Sequence, residues 1–171
     1  MPQLNRDDLF SLEKYAAIRP DYRQEVMAHK KNRQLQIGTN ATLYFEDRIT
    51  IQYQVQEMLR IERIFESQGI DEELEAYNPL IPDGSNWKAT FMVEYSDVEE
   101  RRDALARLIG IERRVWAKIE GFDPVYPIAN EDLERETAEK TSAVHFLRFE
   151  LSPEMVAAAK AGKAISMGIN H

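Results

Sequence analysis

Hydrophobic and polar residues alternate along several segments of the second half of the chain. Alternation with a period of two is typical of strands that bury one face. It predicts strands over residues 89–95, 114–120, 144–151 and 164–169. Ser96 and Ser152 each stand where a helix cap is needed, and they predict helices over about 97–109 and 153–161. The order strand, helix, strand therefore occurs twice.

Two successive units of this kind follow the order of a ferredoxin-like, split βαβ sheet. We therefore predict an α+β protein with a mainly antiparallel sheet, ferredoxin-like ordering and an N-terminal helical extension. We expect a single domain over residues 1–171. Within it, residues 1–70 are expected to form the extension with one short strand, and residues 86–171 the sheet with its covering helices. An acidic helix beginning at Asn130 is expected between the two units.

The first half of the chain is mostly helical in its pattern. Pro20 predicts the first turn of a helix that runs to about Asn32. Residues 42–46 alternate as a short strand. The segment 48–68 fits a strand or a helix at its start, but Asp47 is a good helix cap and the later residues are helix formers. We therefore predict one helix over this segment.

Composition narrows the class of protein. The chain has 171 residues, of which 43% are hydrophobic, and this is enough for a core without disulfide or metal staples. It has no cysteine, which excludes a cysteine nucleophile, a cysteine-ligated cluster and a disulfide. The N-terminus lacks the apolar stretch of a signal peptide, and no apolar run approaches the ~18 residues of a membrane span. We expect a cytoplasmic protein that does not contact a membrane.

The charge is acidic and unevenly distributed. Asp and Glu number 30 against 22 Lys and Arg, which gives a formal net charge of −8 at pH 7. The excess of carboxylates is concentrated in residues 41–78 and 120–140. Because nucleic-acid affinity comes largely from cationic side chains, this balance disfavours nucleic-acid binding. The basic group around His29, Lys31 and Arg33 is a candidate anion site. Alternatively, these cations are there because the dipole at the C-terminus of a helix favours positive charge.

No phosphate-binding loop, nucleotide fingerprint, nucleophile elbow or zinc-protease motif is present, and Glu-x-x-His pairs are absent. We therefore predict no cofactor and no metal. Two ionisable residues stand out because they lie on otherwise apolar faces. His145 shares its strand face with Leu147 and Phe149, and Glu62 falls on the apolar stripe of its predicted helix. Each is either a core residue with satisfied hydrogen bonds or a member of a functional pocket.

The stretch 77–86 is the densest in turn residues. Its prolines stiffen the chain, and Asn78, Asp83 and Asn86 offer polar side chains from it. Such a loop either carries function on a rigid scaffold or is simply an ordered connection into the next strand.

Several segments together resemble a bacterial family of uncharacterised proteins known as a domain of unknown function. They are residues 25–31, 45–48, 53–65, 78–86 and 139–151. The resemblance spans nearly the whole chain and supplies no catalytic residues. It implies that members accompany rubrerythrin-like and iron–sulfur, heterodisulfide-reductase-like proteins in gene neighbourhoods. It also implies that relatives continue past a segment like that at residues 168–171.

Two functions compete. The first is a non-enzymatic accessory or interaction protein, whose partner would be a redox or iron–sulfur protein of an oxidative-stress or electron-transfer system. The alternative is a small-molecule-binding protein or enzyme, whose pocket is formed by the loop at 78–86, Glu62 and His145. If a functional pocket exists, we predict that Glu62 or His145 reaches it.

Overall fold

The computed structural model describes the whole chain, Met1–His171. It contains five helices and seven strands. The helices are α1 (Leu12–Lys30), α2 (Arg48–Ile61), α3 (Ser67–Tyr77), α4 (Val98–Arg107) and α5 (Pro153–Lys160). The strands are β1 (Gln34–Ile37), β2 (Ala41–Phe45), β3 (Asn86–Val93), β4 (Val115–Ile119), β5 (Ile128–Ala129), β6 (Val144–Glu150) and β7 (Ile165–Ile169).

The chain divides into two compact units. The first consists of residues Met1–Arg33 and Glu46–Gly84, and the second of Gln34–Phe45 and Ser85–His171. The first unit therefore contains α1, α2 and α3, and the second contains every strand. The expectation of a single domain stays a prediction.

The core of the first unit is formed by apolar residues of α2 and α3 and of the flanking segments. Its buried members are Leu4, Ile51, Val55, Leu59, Leu74 and Ile81. Asp47 caps α2 as predicted, since its side chain accepts a hydrogen bond from the Thr50 amide. The helix ends earlier than predicted, at Ile61, because Arg63 adopts a positive φ of 54°. The single helix expected over residues 48–68 is therefore wrong.

The predicted start of α1 is also wrong. Pro20 lies inside the helix and not in its first turn. The helix begins earlier because the Ser11 side chain accepts a hydrogen bond from the Lys14 amide and so caps the preceding turn. The interior proline removes one backbone hydrogen bond, and the rest of the 19-residue helix persists around it.

The second unit contains two antiparallel sheets. A five-stranded sheet has the order β1-β2-β3-β6-β5, and a two-stranded sheet pairs β4 with β7. Alternate residues of β3 and β6 point into the core, where Phe91 and Phe149 are fully buried. The α+β class and the mainly antiparallel sheet are confirmed. The five predicted strands are present as β2, β3, β4, β6 and β7, although β1 and β5 were not expected.

The finer topology differs from the prediction. The four strands predicted in the second half of the chain do not share one sheet, because β4 and β7 pair with each other. The ferredoxin-like ordering is therefore not confirmed. The acidic helix expected from Asn130 is absent. Asn130 has a positive φ of 54°, and the following residues form an irregular segment that is closed by a bridge between Glu136 and Thr141. No helix combines the length and the apolar character that crossing a membrane requires.

Candidate functional site

His145 is the second residue of β6 and is completely buried. It stands opposite Phe91 of β3, on the core face of the five-stranded sheet. Its Nδ1 lies 2.8 Å from the side-chain nitrogen of Asn130. Its Nε2 lies 2.9 Å from the carbonyl oxygen of Ser142 and 3.1 Å from the hydroxyl of Thr141. Both ring nitrogens therefore have hydrogen-bond partners.

These contacts decide the protonation of the ring. The side-chain oxygen of Asn130 accepts a hydrogen bond from the Phe146 amide, so its NH2 group must face His145. Nδ1 then accepts a hydrogen bond, and the proton of the ring resides on Nε2 and points to Ser142. Burial lowers the pKa of His145, although the charge of Glu112 opposes the shift. His145 is thus a neutral imidazole whose lone pair is occupied.

Glu112 lies beside His145 and is also buried, with 1% of its surface exposed. It belongs to a short 3-10 turn, Ile111–Arg113, which Gly110 starts with a positive φ of 86°. Ile111 anchors this turn in the core of the second unit, and the Glu112 side chain is carried inward with it. The turn thus places a carboxylate in a position that neither helix nor strand periodicity describes.

Neither carboxylate oxygen of Glu112 has a hydrogen-bond partner. The nearest cationic atom is a guanidinium nitrogen of Arg113 at 3.6 Å, which is too far for a hydrogen bond. His145 Nε2 is 4.0 Å away, and its proton points to Ser142. Buried polar atoms are nearly always paired, so this carboxylate is an exception that needs an explanation.

Glu136 is the neighbour of Glu112 across Arg113. One Glu136 oxygen accepts a 2.8 Å hydrogen bond from Arg113, and this bond holds the pKa of Glu136 below its usual value. The Glu112 carboxyl also lies within interaction distance of Glu136. A contact with the Gly110 backbone and the contact with the Glu112 carboxyl also lower the pKa of Glu136. The second oxygen of Glu136 is buried without a hydrogen-bond partner, as are both oxygens of Glu112 and the Nε donor of Arg135.

These groups line a cavity of about 380 Å³. Its walls are Glu112, Arg113 and the irregular segment from Ala129 to Glu136. Five carboxylates and two guanidinium groups line it, so its formal charge is −3. The residues include no group of three or more histidine or carboxylate side chains that could hold a metal ion. The unpartnered oxygens of Glu112 and Glu136 can accept hydrogen bonds, and the unpartnered Arg135 Nε can donate one.

Comparison with known proteins identifies the family of the chain. The model of a family described as "Protein of unknown function (DUF3501)" matches residues 3–171. The chain belongs to this family. A similar protein of unknown function from Burkholderia pseudomallei K96243 has a crystal structure at 1.90 Å resolution. It is 56% identical to the chain, with a TM-score of 0.94, and the match covers 99% of this chain and 88% of that one. No curated protein matches.

Glu62, which the sequence pattern placed on the apolar stripe of α2, is exposed in this DUF3501 chain. It follows the last residue of α2 as its C-terminal cap, so the helical spacing that placed it on the stripe no longer applies. Phe65, which the same helical spacing also places on the stripe, is 73% exposed. The predicted inward orientation of Glu62 is therefore wrong. Glu62 belongs to the first unit and His145 to the second, and a pocket that they share stays a prediction.

The basic group of the first unit has a structural partner. His29 Nε2 lies 2.6 Å from an Asp47 oxygen, and the Arg33 guanidinium lies 3.1 Å from the same oxygen. Lys31 is exposed. Two of the three candidate anion ligands therefore hold the cap of α2, and anion binding by the group stays a prediction.

The polar residues of the loop at 78–86 also have local partners. The Asn78 side chain exchanges two hydrogen bonds with the backbone of Leu4, at 2.8 and 2.9 Å. The Asn86 side chain donates to Glu150 across the sheet at 2.8 Å. Asp83 is exposed. Asn78 therefore holds the N-terminal segment of the first unit, and Asn86 holds the start of β3 against β6.

Glu112, Arg113 and Glu136 were not singled out from the sequence. The first two lie in a Glu-Arg-Arg run that has the composition of an exposed turn, and Glu136 lies in the segment predicted as an acidic helix. One signal was available. Gly110 follows a helix of the usual length, and a glycine at such a point commonly sets the direction of the next residues.

Proposed function

We propose that this protein binds a small ligand that donates hydrogen bonds, in the cavity formed by Glu112, Glu136 and residues 129–136. The observation that carries the proposal is the buried Glu112 carboxylate, whose two oxygens have no partner. An unsatisfied buried acceptor costs ~1–3 kcal/mol, and more when it is charged. A fold that retains this cost gains from it elsewhere, most directly when a ligand supplies the missing donors.

The dimensions of the cavity agree with this function. Pockets for small ligands occupy roughly 300–1,000 Å³, and this one occupies about 380 Å³. Its walls combine charged groups with the apolar side chains of Ala129 and Leu133. A ligand could therefore bury a carbon skeleton there and present its donors to the two carboxylates.

Binding is better supported than catalysis. A general base needs an available lone pair within reach of the proton that it removes. His145 has none, because Asn130 donates to Nδ1 and the proton on Nε2 is directed to Ser142. His145 and Asn130 instead fix the wall of the cavity, since Asn130 is also one of its lining residues.

The substitution Glu112→Gln tests the proposal without knowledge of the ligand. It keeps the size of the side chain and removes its charge. In ligand-free protein we expect the free energy of unfolding to rise by about 1–3 kcal/mol, because an uncompensated buried charge disappears. Chemical denaturation at pH 7.5 measures the change.

Glu134→Gln is the matched control. Glu134 lines the same cavity but is exposed, so its replacement should change the free energy of unfolding by less than ~0.5 kcal/mol. A loss of stability in Glu112→Gln, with Glu134→Gln neutral, would show that the Glu112 charge supports the fold and would refute the proposal.

A second candidate function is docking to a redox or iron–sulfur protein, for example a rubrerythrin-like companion. One surface of the first unit favours it. Ile61 and Phe65 are 64% and 73% exposed where α2 ends. Carboxylates surround this segment, and partial burial together with the charges of Glu62 and Glu72 raises the pKa of Glu73. Apolar side chains within crowded acidic groups suit a partner with a basic, partly apolar face.

Calorimetric titration of the chain with a purified rubrerythrin-like protein from the same bacterium tests this candidate. Phe65→Ser should weaken the interaction, and higher salt should weaken it further. Ile49→Ser is the control, because Ile49 is also an exposed residue of the first unit. Equal binding by both variants, or no binding at all, would contradict the candidate.

A further inference from the structure

The three unpartnered oxygens of the cavity indicate the chemical class of its ligand. Resting on the proposed function above, we propose that the group recognised by Glu112 and Glu136 is a primary ammonium, that is, a protonated primary amine on a short aliphatic chain. The two Glu112 oxygens and one Glu136 oxygen are acceptors without donors. A primary ammonium carries three N–H donors and no acceptor, so it matches these three acceptors in number and in polarity. It leaves Arg135 Nε, the unpartnered buried donor of the same lining, as it is.

The two carboxyls are close enough for one group to reach both. The Arg113 guanidinium lies 3.6 Å from one Glu112 oxygen and donates at 2.8 Å to Glu136. The Glu112 and Glu136 carboxyls also interact directly. The Arg113 side chain is 61% exposed, whereas the three unpartnered oxygens are buried. Arg113 therefore does not satisfy these oxygens.

The charge of the cavity favours a cation over a neutral or anionic ligand. Its five carboxylates exceed its two guanidinium groups by three charges, and Arg148 from outside the lining pairs with one of the five, Glu131. A neutral alcohol or amide would satisfy hydrogen bonds and leave this charge uncompensated in a partly buried site. An anion would add to the repulsion.

A divalent metal ion fits less well. Calcium takes six to eight oxygen ligands and magnesium a near-octahedral set, whereas only two carboxyls converge here. No group of three ligating side chains is present. The nearest imidazole nitrogen carries the proton donated to Ser142. The apolar walls at Ala129 and Leu133 would have no function toward a bare ion, but they suit the carbon chain of an amine.

The test titrates the full chain with n-butylammonium chloride at pH 7.5 and follows both heat and the side-chain carboxyl carbon signals of glutamate. We expect saturable binding, a raised melting temperature and a shift of the Glu112 signal. Three probes of the same carbon skeleton separate the contributions. They are butyltrimethylammonium, which has the charge without N–H donors, n-butanol, which is neutral, and butylguanidinium, which has planar donors.

Glu112→Gln and Glu136→Gln should each weaken butylammonium binding by ~10-fold or more, since each removes charged hydrogen bonds. Glu120→Gln should bind as the unaltered chain does, because Glu120 is an exposed carboxylate of the second unit that does not line the cavity. Two carboxylate variants are used so that one poorly folding variant does not decide the outcome.

Equal binding of butyltrimethylammonium or of butylguanidinium would overturn the inference, because charge alone or planar donors would then suffice. Absence of butylammonium binding would overturn it as well. If Glu112→Gln nevertheless stabilises the ligand-free chain, the proposed function stands with another ligand class. If Glu112→Gln destabilises the chain, the proposed function itself fails.

Discussion

Each of the two units buries a carboxylate, but only the one in the first unit has hydrogen-bond donors. Asp47 of the first unit is 3% exposed, and it accepts hydrogen bonds from the Thr50 amide and His29 while Arg33 lies at 3.1 Å. Glu112 of the second unit is 1% exposed and accepts none. The two carboxylates are similarly buried, and we expect them to contribute to stability with opposite signs. A buried carboxylate with a complete set of donors supports the fold, whereas one without donors costs stability.

The electrostatics of Asp47 agree with its structural role. Burial acts to raise the pKa of this carboxyl, but the hydrogen bonds from Thr50 and His29 and the charge of Arg33 outweigh burial and lower it. The folded state thus favours the charged form of Asp47, and the stability that this preference contributes is lost in acid.

The largest effect should come from removing the satisfied carboxylate. Asp47→Ala is expected to lower the free energy of unfolding by ~3 kcal/mol, because it deletes a helix cap and leaves His29 and Arg33 without their buried partner. Asp97→Ala is the control, since Asp97 caps the exposed start of α4 and should cost only ~1 kcal/mol. Equal losses in the two variants, measured by urea unfolding, would show that Asp47 acts as a cap alone.

Glu57 is a second carboxylate of the first unit that has hydrogen-bond donors, like Asp47. Glu57 accepts two hydrogen bonds from Arg19 and one from the buried Tyr15, and the Arg19 bonds lower the pKa of Glu57 to about 2. Glu57→Gln should lower stability by ~2 kcal/mol at pH 7. Because the folded pKa lies below the usual value of 4.5, this contribution is complete above pH 4.5 and disappears as the pH falls toward 2. A difference between variant and parent that persists unchanged at pH 2 would contradict the assignment.

His145 gives the second unit a different response to acid. Its pKa is lowered by burial, so the folded state binds fewer protons than the unfolded chain below pH 6.5. Stability should therefore begin to fall as the pH drops below about 6.5, before the carboxylates titrate. His145→Gln should cost ~1–2 kcal/mol at pH 7 through the hydrogen bonds to Asn130 and Ser142. It should also remove this early loss. If the variant loses as much stability between pH 7 and pH 5 as the parent chain does, the neutral-imidazole assignment is refuted.

The smallest effect is expected at the residue that the helical spacing had placed inward. Glu62→Gln should change the free energy of unfolding by less than ~0.5 kcal/mol, because Glu62 is exposed beyond the end of α2. Thermal and urea unfolding both measure it. A loss above 1 kcal/mol would restore a buried role for this carboxylate.

The sequence predicted well the parts of the fold whose pattern is regular and locally punctuated. The strands β3, β4, β6 and β7 were recognised because apolar residues alternate, and α5 because Ser152 caps it ahead of Pro153. It failed where backbone geometry departs from these periods without a glycine or proline to announce it. Arg63 and Asn130 both adopt positive φ values, which ended α2 early and replaced the expected acidic helix.

The candidate site was recognised only in part for the same reason. His145 could be selected because an ionisable residue interrupts the apolar face of a strand. Glu112 lies in a three-residue turn that has no face, and its burial depends on the packing of Ile111 and on the distant segment that carries Glu136. Long-range contacts of this kind leave no periodic signal in a single sequence.

The comparison between the two buried carboxylates is tested most directly by isosteric replacement of both. The free energies of unfolding of Asp47→Asn and Glu112→Gln are measured side by side by urea denaturation at pH 7.5, in the absence of any added amine. We expect opposite signs, with Asp47→Asn less stable than the parent chain and Glu112→Gln more stable by about 1–3 kcal/mol. A loss of stability in both variants would contradict the account, because Glu112 would then be a structural carboxylate like Asp47.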